Sequence, residues 1–217
     1  MREVIAAHQG DDLLRTVVAE LVARYGAHTV VLYGSRARGD ATPESDIDVA
    51  ALADIEEAVQ DARPFGGTFL DAFVHPTRDA ERAEPDALKL VGGRILLDTR
   101  GVAGAWLTRL AALEAAGPPP LAPLERQLRR TWPRKMLARI ARGDVEAHYR
   151  RHWLLQQLLE DWFVLAGRWY PGPKRALILL AKDAPEVHAA FAAALAPDAS
   201  LDAIARLVEH VVGADAP

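Results

Sequence analysis

A glycine followed by three prolines, at residues 117–120, divides the sequence into two parts with different patterning. Proline lacks the backbone N–H that helices and central strands use, so this run favours an extended connector. Runs rich in β-branched residues lie before it, and helical spacing of apolar residues dominates after it. We therefore predict two domains, residues 1–117 and residues 118–217.

The two parts predict different elements. An amphipathic helix at about residues 13–22 precedes four strand-like runs, which are residues 29–33, 47–52, 68–74 and 94–98. This order is typical of a small mixed sheet covered by helices on one face. Five helix-like segments follow Pro120, at about residues 124–140, 145–166, 174–182, 185–195 and 202–212. The predicted fold class is α+β, with a C-terminal helical bundle.

The chain of 217 residues contains no cysteine, which excludes disulfides, cysteine-built metal sites and a cysteine nucleophile. Any metal ion must therefore bind mainly to oxygen. The apolar runs, such as residues 176–181, are far shorter than the roughly 18–20 residues of a membrane span. We expect a cytoplasmic protein without a membrane segment.

Charge is unevenly distributed along the chain, although the formal net charge is only −4. Residues 1–98 carry 10 basic and 18 acidic side chains, whereas residues 121–175 carry 12 basic and 5 acidic ones. An acidic total gives no support to general nucleic-acid binding, and a solvated helix face or a wall that faces a triphosphate explains the basic segment equally well. We expect no nucleic-acid partner.

Two aspartates stand at the start of the second strand-like run. Asp46 and Asp48 are two positions apart, so their carboxylates project from the same face of the sheet. In the third run, Asp71 shares a face with Phe69 and Phe73. Carboxylates that face one another repel, and a hard divalent cation is the simplest partner for them. We predict that these three acids bind Mg²⁺; the alternative for Asp71 is an acid that is solvated or paired with an arginine.

A glycine turn follows the first strand-like run. Gly34 lets the backbone approach a ligand closely, and the following N–H groups with the Ser35 hydroxyl can donate hydrogen bonds to phosphate oxygens. Arg36 and Arg38 add positive charge beside the turn. Taken alone, Gly34 and Ser35 fit an ordinary turn. Together with the acids, they indicate a triphosphate held between a glycine turn and a metal-binding acidic face.

The pattern of Gly34-Ser35, ten intervening residues and Asp46-x-Asp48 resembles the signature of the nucleotidyltransferase superfamily related to DNA polymerase β. With helices following the small sheet, the chain is most similar to the aminoglycoside and lincosamide nucleotidyltransferases. The specific resemblance covers about residues 28–75. It implies a Mg²⁺-dependent enzyme that transfers a nucleoside monophosphate from an NTP, such as ATP, to a hydroxyl of an antibiotic-like or metabolite acceptor, releasing pyrophosphate. It also implies two Mg²⁺ ions, with Asp71 completing the metal site.

The same resemblance implies a general base for the acceptor hydroxyl and a lysine that contacts the triphosphate. In antibiotic nucleotidyltransferases the base is a carboxylate that can lie outside the metal cluster, and Glu160 and Asp161 are the candidates here. The alternative for both is a solvated or arginine-paired acid. Lys174 is the candidate lysine, because a lysine at a helix N-terminus is unfavourable unless an anion is bound there. The alternative is an ordinary surface lysine.

A second hypothesis is a toxin–antitoxin or regulatory nucleotidyltransferase that modifies or binds a protein. Minimal antitoxin-type proteins lack a helical part of about 100 residues, which this chain has. A third, an RNA-directed transferase, is disfavoured because the chain is short and acidic overall. The first hypothesis predicts an NTP and a small-molecule acceptor as partners of a monomer or homodimer.

Overall fold

The computed structural model describes residues 12–213, and the chain forms two compact units, one up to Ala116 and one from Gly117. In the first unit, helix α1 (Asp12–Tyr25) precedes strand β1 (Thr29–Tyr33), the short helix α2 (Gly34–Arg38) and strand β2 (Ile47–Ala53). Strands β3 (Val59–Phe65) and β4 (Thr68–Pro76) then pair as a hairpin. Two 3-10 segments (Thr77–Glu81 and Pro85–Leu90), strand β5 (Arg94–Asp98) and helix α3 (Ala103–Ala116) complete this unit.

The five strands form one mixed sheet in the order β3-β4-β2-β1-β5. Strands β2 and β4 run parallel, whereas the other neighbouring pairs are antiparallel. The parallel pairing sets Asp48 of β2 directly beside Asp71 of β4. This sheet and the helical second unit confirm the predicted α+β class.

Strand β3 corrects the sequence prediction, which has no strand between residues 52 and 68. The strand pairs with β4 at the edge of the sheet, and Asp61 is its buried residue. Arg24 Nη1 donates a hydrogen bond to Asp61 Oδ2 at 2.6 Å, and Arg63 Nε donates to Oδ1 at 3.0 Å. The prediction was wrong because the buried position of this edge strand carries an ion-paired acid instead of an apolar residue.

Apolar layers cover the sheet on both faces, and the prediction of one covered face was wrong. Helix α1 packs on one face through Leu14, Val17 and Leu21. Helix α3 packs on the other through Trp106 and Leu110, beside the second 3-10 segment. All five residues of β1 are buried, as expected for a strand enclosed by two layers.

The described part of the second unit, up to residue 213, is a bundle of five helices, α4 (Pro123–Ile140), α5 (Val145–Leu165), α6 (Pro173–Asp183), α7 (Pro185–Leu195) and α8 (Leu201–Val212). Its core contains the fully buried side chains of Leu158, Phe163, Phe191 and Leu207. Asp144 caps α5 by accepting a hydrogen bond from the backbone N–H of Ala147 at 2.8 Å. Within residues 12–213, none of the helices is long and apolar enough to cross a membrane.

Candidate functional site

The backbone turns sharply where β1 meets α2. Gly34 has a φ of +70°, in the left-handed region that favours glycine. A Cβ atom at this position would lie 2.1 Å from Oδ2 of Asp48. The main chain of Gly34 therefore packs directly against that carboxylate. Ser35, the next residue, is also buried, with 7% of its surface exposed.

The three predicted acids lie at one end of the sheet, and Asp48 shares the face that α3 covers. Asp48 and Asp71 are register neighbours on parallel strands, and both are half-buried. Asp46 stands one residue before β2, is exposed, and lies close enough for its charge to act on Asp48. On the opposite side of β2, Asp48 pairs in register with Tyr33 of β1. The structure thus brings the three acids and the Gly34 turn together.

Electrostatic repulsion marks this site. Burial raises the pKa of Asp48, and the negative charges of Asp46 and Asp71 raise it further. The positive charges of Lys89 and Arg38 act in the opposite direction without offsetting the rise. A cation bound among these carboxylates would relieve the repulsion.

Lys89 is a site residue that the sequence analysis missed. It belongs to the second 3-10 segment, and its Nζ lies 3.7 Å from the ring centroid of Phe73 and 5.3 Å from that of Tyr33. Partial loss of hydration lowers the pKa of Lys89, although the charges of Asp71 and Asp48 act to raise it. Lys89 therefore supplies a positive charge next to the acids. No local motif surrounds it in the sequence, because the return of the chain after β4 brings it there.

Gln60 is a second residue that the sequence analysis missed. It lies on β3, and its Nε2 donates a hydrogen bond to Oδ1 of Asp71 at 2.9 Å. This bond fixes the direction of the Asp71 carboxylate. The sequence would have indicated this contact only if residues 59–65 had been predicted as a strand that pairs with β4.

The two arginines after the turn lie in different environments. Arg36 Nη2 and Nε donate to the carbonyl oxygen of Ser45 at 2.7 and 3.2 Å, and Nε also donates to that of Asp46 at 3.0 Å. Arg36 therefore braces the chain as it enters β2. Arg38 is half-exposed and pairs with Asp40 at 3.3 Å, so its positive charge stays near the surface of the site.

Glu160 and Lys174 lie in the second unit. Oε1 of Glu160 accepts a hydrogen bond from Nη1 of Arg129 at 3.2 Å, and the same nitrogen lies 2.6 Å from Oδ1 of Asp161. Both acids are therefore paired with one arginine, Glu160 at a partly exposed position and Asp161 at a buried one. Burial raises the pKa of Asp161 despite hydrogen bonds from Gln157 and Arg129. Lys174 is exposed in the first turn of α6.

A preformed metal site is absent from residues 12–213, where no three acidic, histidine or cysteine side chains are arranged to hold an ion. The donor set nevertheless fits Mg²⁺, because Asp46, Asp48 and Asp71 offer hard oxygen ligands. Their mutual repulsion, which neighbouring cationic side chains do not offset, is the electrostatic condition that a divalent cation relieves. These side chains would have to turn towards one another to place their oxygens on one ion.

Comparison with known proteins bears on the first unit. Residues 14–91, about a third of the chain, match the family model of the nucleotidyltransferase domain. This range contains the Gly34 turn, the three acids and Lys89. The match supports the superfamily part of the predicted resemblance, whereas it shows no particular similarity to aminoglycoside or lincosamide enzymes.

The other comparisons add little. No curated protein matches the chain. A crystal structure of a nucleotidyltransferase-like protein from Exiguobacterium sibiricum 255-15 is 15% identical, with 94% of this chain and 74% of that chain covered and a TM-score of 0.40. A likeness this weak carries no conclusion about fold or activity. Residues 14–91 are therefore similar to a nucleotidyltransferase domain, and the site just described lies within them.

Proposed function

We propose that this chain transfers a nucleoside monophosphate from an NTP to a hydroxyl group of a small molecule and releases pyrophosphate. The observation that carries the proposal is the packing of the Gly34 main chain against Asp48, beside Asp71. The turn offers backbone that a phosphate can approach closely, and the acids offer hard oxygen ligands. Both lie at the same end of the sheet. The family match over residues 14–91 supports the same reaction class.

The Gly34 turn is the proposed binding site of the triphosphate. The Ser35 hydroxyl and the backbone N–H groups of the turn would donate hydrogen bonds to phosphate oxygens. Arg38 would add positive charge from the end of α2. Arg36 acts through the main chain, since its guanidinium holds Ser45 and Asp46 where β2 begins.

The end of the sheet that carries Asp46, Asp48 and Asp71, called the acidic edge from here on, is the proposed metal site. Bound there, Mg²⁺ would neutralise the charge that develops on the phosphate oxygens during displacement. Without a cation, the same carboxylates would repel the triphosphate. The hydrogen bond from Gln60 orients the carboxylate of Asp71. Lys89 contributes a positive charge near Asp48 on β2 and Asp71 on β4.

In the proposed transfer, the acceptor oxygen forms a bond to the α-phosphorus. The bond from the α-phosphorus to the bridging α–β oxygen breaks, and pyrophosphate leaves with that oxygen and its electron pair. The proton of the acceptor hydroxyl passes to a general base.

Glu160 is the proposed base, and Lys174 a proposed contact of the triphosphate. Arg129 holds the Glu160 carboxylate, so Glu160→Gln separates two roles. A general base predicts a lower kcat with an unchanged KM for the NTP, whereas an arginine-paired acid without a catalytic role predicts that neither constant changes. For Lys174→Ala, contact with the triphosphate predicts a raised KM for the NTP.

The proposal is tested by pyrophosphate release from each of the four NTPs with Mg²⁺, over a panel of antibiotics and hydroxylated metabolites. Asp48→Asn should lower turnover by about 10³-fold or more, because it removes a metal ligand. Glu44→Gln is the matched control, since Glu44 is an exposed acid in the same loop as Asp46 and should leave turnover unchanged. Label from an α-labelled NTP appearing only on protein would contradict the small-molecule acceptor. Full activity in Asp48→Asn would contradict the transferase.

A further inference from the structure

A cleft of about 670 Å³ opens in the first unit beside the acidic edge. It lies between β4 and the two 3-10 segments, and the contacting residues Phe73 and Lys89 both line it. Phe73 follows Asp71 by two residues on β4, so the two side chains share one face about 7 Å apart along the strand. A molecule in this cleft would therefore have one end next to Asp71. A volume of this size is in the usual range for small-molecule sites.

Aromatic rings form one wall of the cleft. The rings of Phe73 and His75 are stacked with centroids 6.3 Å apart, and His75 meets Trp106 edge-on at 6.2 Å. Trp106 is 2% exposed, and its buried Nε1 has no hydrogen-bond partner among residues 12–213. A wall of this kind favours a flat ring, because stacking adds to the gain from burying apolar surface.

The charged residues of the cleft carry both signs. Asp79, Glu84 and Asp86 supply negative charge, and Arg82 and Lys89 supply positive charge. Nδ1 of His75 lies 3.9 Å from Oδ2 of Asp79, and burial lowers the pKa of His75, so the ring is mainly neutral at pH 7. A triphosphate would meet three carboxylates here, and the nearly balanced charge gives no specific attraction to a polycation. The lining therefore favours an uncharged ligand.

We propose that this cleft binds the acceptor, and that the acceptor is an uncharged nucleoside-like compound whose flat heterocycle packs against the aromatic wall of Phe73 and His75 and whose hydroxyl group is directed to Asp71. The inference rests on the proposed transfer and adds where the acceptor lies and what chemistry it has. It also assigns acceptor binding to residues of the first unit.

The test measures binding of adenosine and uridine to the full-length protein by titration calorimetry, with kanamycin as a polycationic probe and Mg·ATP as the reference ligand. The wild-type protein should bind at least one of the two nucleosides at millimolar concentration or below. Phe73→Leu should weaken that binding about three- to tenfold, since an aromatic contact is lost while most apolar surface is kept. Phe65→Leu is the matched control, because Phe65 is partly buried and packs against the core on the α1 face, away from the cleft.

The outcomes separate the cleft from the transferase site. If Asp48→Asn loses Mg·ATP binding and keeps nucleoside binding, the result supports two neighbouring sites. If Asp48→Asn binds Mg·ATP normally, the proposed function fails, while the nucleoside result still stands. No nucleoside binding, equal binding by Phe73→Leu, or tighter binding of kanamycin than of either nucleoside would overturn the inference. If Phe73→Leu does not fold, His75→Asn probes the same wall from a half-buried position.

Discussion

Replacing Gly34 by alanine perturbs the site at its closest contact. An alanine held at a φ of +70° costs about 1–2 kcal/mol of stability. Its Cβ would lie 2.1 Å from Oδ2 of Asp48, whereas ordinary contact begins at 3.4 Å, so the carboxylate must retreat by about 1.3 Å. A displacement of about 1 Å at a catalytic group can lower the rate about 10²-fold. We therefore expect Gly34→Ala to lose about 10²-fold in kcat/KM.

Gly39→Ala is the matched control for this prediction. Gly39 ends α2 with a φ of +84°, and a Cβ there would meet nothing within 4 Å. Both variants should lower the free energy of unfolding of the first unit by about 1–2 kcal/mol, measured by urea denaturation. Only Gly34→Ala should also lose turnover and binding of Mg·NTP.

Two results would refute this reasoning. Wild-type activity in Gly34→Ala would show that the contact with Asp48 has no part in the site. Equal losses of activity in both variants would show that the backbone strain alone is responsible.

Three further predictions concern charge. Asp48→Asn should stabilise the first unit by about 0.5–1 kcal/mol at pH 7 in urea denaturation, because it removes a repulsive cross-strand charge. The raised pKa of Asp48 means that its ionisation destabilises the folded state. The gain in stability of Asp48→Asn should therefore vanish as the pH falls and Asp48 becomes protonated. A lower stability of Asp48→Asn than of the wild-type protein at pH 7 would contradict this prediction. Lys89→Met removes a positive charge near the acids, so it should tighten the binding of Mn²⁺ alone and weaken the binding of the free NTP. Both affinities are measured by calorimetry, and unchanged values would exclude Lys89 from the site. Arg129→Met should cost the second unit about 3 kcal/mol at pH 7, because Asp161 is 1% exposed and would be buried without its ion pair. Arg134→Met, which breaks an exposed pair with Glu209, should cost less than about 1 kcal/mol in the same denaturation series, and similar losses in the two variants would contradict the argument.

Local rules were sufficient for part of the site. A strand that stops at Gly34 and two acids on alternate positions are properties of neighbouring residues, so the sequence predicts them directly. Lys89 and Gln60 reach the acids through tertiary contacts, one from a 3-10 segment and the other from an edge strand with a polar pattern. No spacing along the chain connects them to the motif.

Segment charge was a weaker guide than individual contacts. The excess of basic residues in 121–175 suggested a wall that faces phosphate or a solvated helix face. Several of these arginines instead hold the bundle together. Arg126 donates to the carbonyl oxygen of Leu165 at 3.2 Å, and Arg151 donates to that of Ala196 at 2.7 Å. Charges used in this way cannot be counted as a binding surface, and the burial that decides this is not visible in the sequence.

The most direct test of the central claim is the binding of Mn²⁺ with an NTP, followed by electron paramagnetic resonance in wild-type protein, Asp48→Asn, Asp71→Asn and Glu44→Gln. If the acidic edge beside Gly34 holds the metal–triphosphate complex, the wild-type protein and Glu44→Gln should deplete the free Mn²⁺ signal equally. Asp48→Asn and Asp71→Asn should each bind at least about tenfold more weakly, because each removes a charged oxygen ligand. Equal depletion of the signal by all four proteins would contradict the assignment of this edge as the metal site.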